Sequence, residues 1–243
     1  MSLSSIPSAE ALVPLRDAYL EAQLRGARRE AIRLLMEEGL RKGVGVLALQ
    51  KHVIAAAQRE IGRLWQENRI SVAQEHQATA ISHVALAHLY QQSQPEPANG
   101  RRIVVACVPG EQHDFPARLL ADALDLCGFE VRYLGADVPQ RDLIELVKRE
   151  RPQLLCLSVT MSFNVPSLKA VVAALREEVP ELRLAVGGHA CQWEAGLCAG
   201  LGAEVTGEDA LEVVEKIRGL LGVRGARSAE EVGATVAAEG APA

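Results

Sequence analysis

From Ala9 to Gln92, apolar side chains return every three or four positions: Leu12, Leu15 and Tyr19, then Ala31, Leu34 and Leu35, then Leu47, Val53, Ile54, Ile61 and Leu64. That spacing puts them on one face of a helix, so the stretch predicts an α-helical domain. Gly26, the run Gly43-Val44-Gly45 and Asn68-Arg69 interrupt it, which divides it into about four helices able to form a bundle. Beyond Gly100 the pattern changes. Apolar runs at Ile103–Val108, Val131–Leu134, Leu154–Ser158, Leu182–Val186 and Ala203–Thr206 alternate with helical patterns near Ala117–Cys127, Gln140–Glu150, Val165–Glu178, Cys191–Leu201 and Ala210–Leu221. This alternation of strands and helices predicts a doubly wound parallel sheet of the flavodoxin-like kind. The expected class is therefore α/β: an N-terminal four-helix bundle followed by a flavodoxin-like domain.

The segment Ser93-Gln94-Pro95-Glu96-Pro97-Ala98-Asn99-Gly100 concentrates proline, glycine and polar residues and reads as a domain boundary. The expected division is a helical bundle over residues 1–93, a linker over 94–100 and an α/β domain over 101–221. Residues 222–243 have no sustained apolar face and are expected to be disordered.

Composition narrows the functional classes. A chain of 243 residues with 49% hydrophobic residues can bury a real core, and only 3% are aromatic, so Trp65 and Trp193 stand out. A formal charge of −5 without a Lys/Arg block lacks the footprint for neutralising nucleic-acid phosphates, and direct DNA binding is not expected. There is no apolar run of roughly 18 residues, and Met1 to Pro7 has no basic segment followed by an apolar core, so a cytoplasmic protein without membrane contact is expected. The five cysteines include no Cys-x-x-Cys pair, and Cys107 and Cys156 lie in strand-like runs. Neither a disulfide framework nor a structural zinc site is expected; His189-Ala190-Cys191 is the nearest approach to a ligand cluster.

Three features of the α/β half follow strands, where they would converge on one rim of the sheet: Glu111-Gln112-His113-Asp114, Ser158-Val159-Thr160 and Gly187-Gly188. Open α/β sheets bind ligands outside the carboxyl ends of their strands. An imidazole there can be presented to a cofactor and oriented by a carboxylate two residues earlier, a hydroxyl can meet a polar ligand tail, and paired glycines let a large ligand approach the backbone. Taken singly, each has a plain meaning: a histidine after a strand is most often a surface or capping residue, Glu111 a solvated charge, Ser158 a strand end and Gly187-Gly188 a turn.

The helical half holds Trp65, then nine residues, then Glu75-His76, with Val72 a turn earlier. On a helix Val72, Glu75, His76 and Thr79 share a face, and Trp65 would end the preceding helix across a short turn. The plain alternative is a core tryptophan beside a partly exposed polar pair.

The order Glu111-x-His113, Ser158-Val159-Thr160, Gly187-Gly188 resembles the cobalamin-binding domain of corrinoid enzymes and sensors. That resemblance implies His113 as the lower axial ligand of cobalt, Glu111 holding its other nitrogen, and a slot beside Ser158 and Gly187-Gly188 for the displaced nucleotide base. With Trp65, Val72, Glu75 and His76, the chain from about Ala9 to Leu221 is similar to adenosylcobalamin-dependent photoreceptors of the CarH type, in which the matching positions surround the 5′-deoxyadenosyl group. The resemblance implies adenosylcobalamin as cofactor, a light-sensing rather than enzymatic role, and a homo-oligomer whose assembly changes with light and which signals to a protein partner. Some relatives hold a second chromophore, a bilin such as biliverdin. His83 and His88 suit its propionates or pyrrole nitrogens, or are simply packed or exposed on their helix.

Several positions depart from the pattern. Pro116 stands where the family motif has glycine, and Gln66 stands where the photoreceptors carry a histidine that binds cobalt after photolysis. A neutral amide is a poor cobalt ligand, so no stable bis-histidine light state is expected through that position. The bundle begins almost at Met1, with no room before it for the DNA-binding domain of those regulators. The alternatives are a corrinoid methyl carrier of a methyltransferase system and a cobalamin-dependent antirepressor.

Overall fold

The computed structural model describes residues 8–193, 196–207 and 209–225. The expectation of a disordered tail therefore lies, from residue 226 on, outside the described residues. The described chain forms two compact units that meet in sequence between Pro95 and Glu96.

The first unit is helical. It contains α1 (Val13–Leu24), α2 (Arg28–Arg33), α3 (Val46–Leu49), α4 (Ala56–Gln66) and α5 (Val72–Gln91). The breaks come where the sequence places them, with Gly26, Gly43 and Asn68 all at positive φ. Two features carried no periodic signal: α2 continues into a π-helical turn at Leu34–Gly39, and α3 runs into α4 through another at Gln50–Ala55. Each widens the helix locally, and Gly39 is where the two stretches press together, since a β-carbon there would stand 2.7 Å from Leu49 Cδ2. Helix α5 opens on a capping box, in which the Ser71 hydroxyl accepts from the Gln74 amide and the Gln74 side chain accepts from the Ser71 amide.

The second unit is an α/β layer structure. Strands β1 (Arg102–Cys107), β2 (Glu130–Gly135), β3 (Leu154–Ser158), β4 (Leu184–Gly187) and β5 (Val205–Gly207) alternate with α6 (Phe115–Leu126), α7 (Gln140–Glu150), α8 (Val165–Glu178), the short turns α9 (Ala190–Trp193) and α10 (Leu197–Gly200), and α11 (Ala210–Leu221). All strand pairs are parallel in the order β2-β1-β3-β4-β5, which is the flavodoxin-like order with its switch point between β1 and β3. Strand β3 is buried throughout and β1 nearly so, as expected of central strands covered on both faces, whereas β2 at the edge alternates. Val104, Ala106 and Val108 face Leu143, Val147, Leu168 and Val171 of α7 and α8. The intervening Ile103, Val105 and Cys107 are equally buried, and the two-residue strand period turns them to the other face.

One expectation is corrected. The helix expected over Cys191–Leu201 is broken into α9 and α10, because Gly196 takes a left-handed φ of +84°. That reversal brings Cys191 and Cys198 together as a disulfide, a single bridge that the cysteine spacing did not point to; their Cα atoms are 6.3 Å apart. Glu96 and Asn99, in the segment read as a linker, hydrogen-bond to the end of α6 and the turn after it. The Glu96 amide donates to Leu126 O at 2.8 Å, and the buried Arg218 guanidinium donates to Glu96 Oε2 at 2.8 Å.

Candidate functional site

Register aligns the sequence features of the α/β unit across the carboxyl rim. Cys107 of β1 pairs with Ser158 of β3, Ser158 with Gly187 of β4, and Gly187 with Gly207 of β5. Serine followed by glycines leaves a shallow row along the strand ends where larger side chains would stand. Gly188 takes a φ of +103°, and a β-carbon on it would lie 2.2 Å from Val159 O, so only glycine fits there. Val159 itself is buried, and its carbonyl accepts from the Ala190 amide at 3.2 Å, which docks the start of α9 on the end of β3. The Ser158 and Thr160 hydroxyl oxygens are buried with no hydrogen-bond partner among the described residues. Buried hydroxyls without partners carry a desolvation cost and mark where a polar ligand group would be satisfied.

The loop after β1 is built around Glu111, whose side chain is 0% exposed. Its Oε1 lies 2.6 Å from His113 Nδ1 and accepts from the His113 amide at 2.9 Å. Its Oε2 accepts from the Thr160 and Met161 amides, each at 2.9 Å, and from Asn164 Nδ2 at 3.0 Å. Burial pushes the carboxyl pKa up, but His113, the Met161 amide, Asn164 and the His113 amide outweigh it and bring it down to about 2. Glu111 is thus an ionised anchor that binds the β1 loop to the β3 loop. The His113 ring is 38% exposed, and with Nδ1 held by the carboxylate its tautomer is set by that contact.

Neighbouring groups brace the same loop from β2. Asp137, just past the end of that strand, accepts from the Gly110 amide at 2.7 Å and from Gln112 Nε2 at 3.2 Å. Asp114 accepts from the Tyr133 hydroxyl at 2.9 Å, and burial together with that carboxylate pushes the Tyr133 hydroxyl's pKa up. The Arg118 guanidinium carbon lies 5.8 Å from the Tyr133 ring centroid. Pro116 falls in the first turn of α6, where its missing N–H costs no helical hydrogen bond. Asn164, Asp137 and Tyr133 were not singled out in the sequence; the available signal was a polar residue just after a strand for Asp137 and at a helix start for Asn164, and there was none for Tyr133, which lies inside β2.

In the helical unit, Trp65 is half-buried in the last turn of α4, and Val72, 52% exposed, opens α5. His76 is exposed at 72%, and its Nδ1 meets Glu75 Oε2, while Glu75 Oε1 accepts from the Thr79 hydroxyl at 2.8 Å. Behind Glu75 runs a chain of polar groups that passes from half-buried Thr79 and Gln58 to buried Gln23, Ser82 and Tyr19. Gln58 Nε2 donates to Thr79 Oγ1 at 2.8 Å, Gln23 Nε2 donates to Gln58 Oε1 at 2.9 Å and to Ser82 Oγ at 2.9 Å, and Tyr19 Oη pairs with Ser82 Oγ at 3.0 Å. The polar cluster of the helical unit is thereby tied to its core, which sequence periodicity did not reveal.

Comparison with known proteins gives the family. Residues 101–215 match the B12 binding domain family, and residues 15–90 match a second B12 binding domain family. The chain is 30% identical over 174 residues to a dimethylamine corrinoid protein of Methanosarcina barkeri, covering 69% of this chain and 80% of that one. The chain belongs to the B12-binding corrinoid protein family. It is also 32% identical over 157 residues to the HTH-type transcriptional repressor CarH of Myxococcus xanthus, covering 63% of this chain and 51% of that protein. In structure this corrinoid protein is similar to the monomethylamine corrinoid protein of Methanosarcina barkeri, with a TM-score of 0.75, 19% identity, and coverage of 86% of this chain and 100% of that one, a likeness of fold.

The residues of this corrinoid protein fit the group its family binds. The strand-end row ends in a turn where no side chain is tolerated, two buried hydroxyls beside it have no partner among the described residues, and an imidazole stands at the same rim with its Nδ1 held by a carboxylate. No group of three or more His, Cys, Asp and Glu residues able to hold a bare metal ion occurs among the described residues. No described helix is long and apolar enough to cross a membrane.

Proposed function

We propose that this chain is a corrinoid carrier, holding cobalamin with His113 Nε2 as the lower axial ligand and leaving the opposite face of the corrin to a partner methyltransferase. The Glu111–His113 pair carries the reading. Nδ1–H donates to a carboxylate that is itself locked by the Thr160 and Met161 amides and Asn164, so under this reading Nε2 is the ligating nitrogen and the carboxylate behind the ring strengthens it as a donor to the metal. Ser158 and Thr160 offer hydroxyls to the polar atoms of the cofactor tail, and Gly187-Gly188 lets that tail run against the backbone. Cobalamin, when bound, supplies a weak cobalt–carbon bond whose alkyl group is exchangeable. The corrinoid relatives support this use: besides the dimethylamine protein, a trimethylamine corrinoid protein of Methanosarcina acetivorans is 23% identical over 190 residues, covering 76% of this chain and 87% of that one. The test is reconstitution with methylcobalamin, with and without His113→Ala. Weaker binding by about tenfold or more and a changed corrin absorption spectrum are expected, and an unchanged spectrum with unchanged affinity overturns the assignment.

One observation favours a second use of the same site, a B12-dependent light sensor on adenosylcobalamin. Trp65, Val72, Glu75 and His76 gather at the α4–α5 turn in the spacing of the CarH-type photoreceptors, and CarH itself is among the relatives. Under this reading, light-driven loss of the cofactor's upper ligand changes assembly or exposes a surface to a protein partner such as a transcription factor. Green light separates the two. Bleaching of the adenosylcobalamin complex, a shift in size-exclusion elution and no methyl transfer support the sensor; a light-inert complex that passes a methyl group to a methyltransferase supports the carrier.

A further inference from the structure

The five cysteines divide sharply. Cys107, Cys127 and Cys156 are buried thiols whose pKa burial pushes up to about 12, which leaves them inert as nucleophiles at neutral pH. Cys191 and Cys198 instead form a disulfide across the break between α9 and α10. The two ends of that bridge differ in attachment. Cys198 is 7% exposed and packs in the main core with Leu197 and Ala190. Cys191 is half-buried, and its amide donates to Gly188 O at 3.1 Å, so it stands one hydrogen bond from the Gly187-Gly188 turn.

We propose that Cys191 and Cys198 form a reversible thiol–disulfide site that locks the Gly187-Gly188 lip of the proposed cofactor slot, a site that rests for its functional consequence on the cobalamin reading above. Oxidation by a low-molecular-weight disulfide balances as a two-step exchange. The more accessible Cys191, as thiolate, attacks one sulfur of glutathione disulfide and releases one glutathione thiolate. Cys198, deprotonated in its turn, attacks the Cys191 sulfur of the mixed disulfide and releases the second, so two protein thiols become one disulfide and one glutathione disulfide becomes two glutathiones. The closed bridge ties the start of α9 to core-anchored Cys198, so the turn that accepts from the Cys191 amide loses freedom to move. Reduction removes the covalent tie and leaves the Ala190 amide on Val159 O, the Cys191 amide on Gly188 O and the core packing of Ala190 to hold α9. A slot whose wall is fixed beforehand binds its ligand more tightly than one that must be ordered on binding.

The experiment uses the full chain equilibrated in glutathione and glutathione disulfide mixtures, then alkylated and weighed. Cys191 and Cys198 are expected to become unreactive together as the mixture becomes oxidising, while Cys198→Ser traps a glutathione adduct on Cys191. Amide hydrogen exchange at Ala190 and Cys191, measured without cobalamin, is expected to be slower in the oxidised form. Hydroxocobalamin is expected to bind the oxidised form about fivefold more tightly, a difference absent from Cys191→Ser. Two alkylatable thiols at every glutathione ratio, or equal exchange in the two forms, overturns the proposal. Slower exchange with no cobalamin binding in either form upholds the lock and defeats the cobalamin reading instead.

Discussion

Asn164 donates through Nδ2 to Glu111 Oε2 at 3.0 Å, across 53 residues of sequence, with both side chains buried. This contact joins the N-cap of α8 to the loop that carries His113. Removing it leaves a buried carboxylate with four of its five donors. Asn164→Ala is expected to cost about 1–3 kcal/mol in urea denaturation of the cofactor-free protein. Asn164→Asp is expected to cost more, since it sets a second carboxylate against the first. Equal midpoints for the two variants would contradict this account.

The same carboxylate gives a pH dependence. The folded pKa of Glu111, about 2, lies below the ordinary value of 4.5, so its contribution is fully present above that ordinary value and is lost as pH falls toward 2. The contribution is on the order of 3 kcal/mol. Denaturation of wild type and Glu111→Gln between pH 7 and pH 2 should show the stability gap closing across that acid window. A gap that persists unchanged at the acid end would refute the assignment.

Gly188 makes a steric prediction. Gly188→Ala places a β-carbon 2.2 Å from Val159 O at a φ of +103° and is expected to lose about 2–4 kcal/mol, read as a lower thermal midpoint. Gly187→Ala meets Gly207 O at 3.2 Å without positive φ, so its cost is expected to be smaller. A reversed order would mean that the turn is not held against β3 as described.

In the helical unit the Tyr19, Ser82 and Gln23 cluster should behave cooperatively. Burial pushes the Tyr19 hydroxyl's pKa up, and Ser82 is its buried hydrogen-bond partner. Ser82→Ala is expected to cost about 1–3 kcal/mol. A double-mutant cycle with Tyr19→Phe should give a coupling of at least about 0.5 kcal/mol, and additive losses would show that the contact contributes nothing of its own.

Much of this was legible in the chain, for a physical reason. Helical and strand periods report which faces are buried, so the helical region, the five parallel strands and their boundaries with α7, α8 and α11 follow from the order of apolar residues. The rim features were legible too, because they sit at strand ends, and parallel register then brings Ser158 and Gly187 side by side. What the comparisons weigh differently is use: the methylamine corrinoid relatives favour the carrier over the light sensor that the Trp65 and Glu75-His76 spacing brought forward.

Local patterns carry no record of partners far apart in the chain. The anchoring of Glu111 by Thr160, Met161 and Asn164, the bracing of Gly110 and Gln112 by Asp137, and the polar chain from Tyr19 to Glu75 each join segments that only folding brings within hydrogen-bond reach. The Cys191–Cys198 pair likewise needed the left-handed turn at Gly196 to meet. Sequence alone determined most of the elements, their layering and the features that follow β1, β3 and β4, because burial and chain direction are written in local periodicity. It did not determine the π-helical turns or the break between α9 and α10. Tertiary structure alone decided that Glu111 is a buried, ionised anchor rather than a solvated charge, because that depends on donors from a second strand's loop satisfying a carboxylate removed from water.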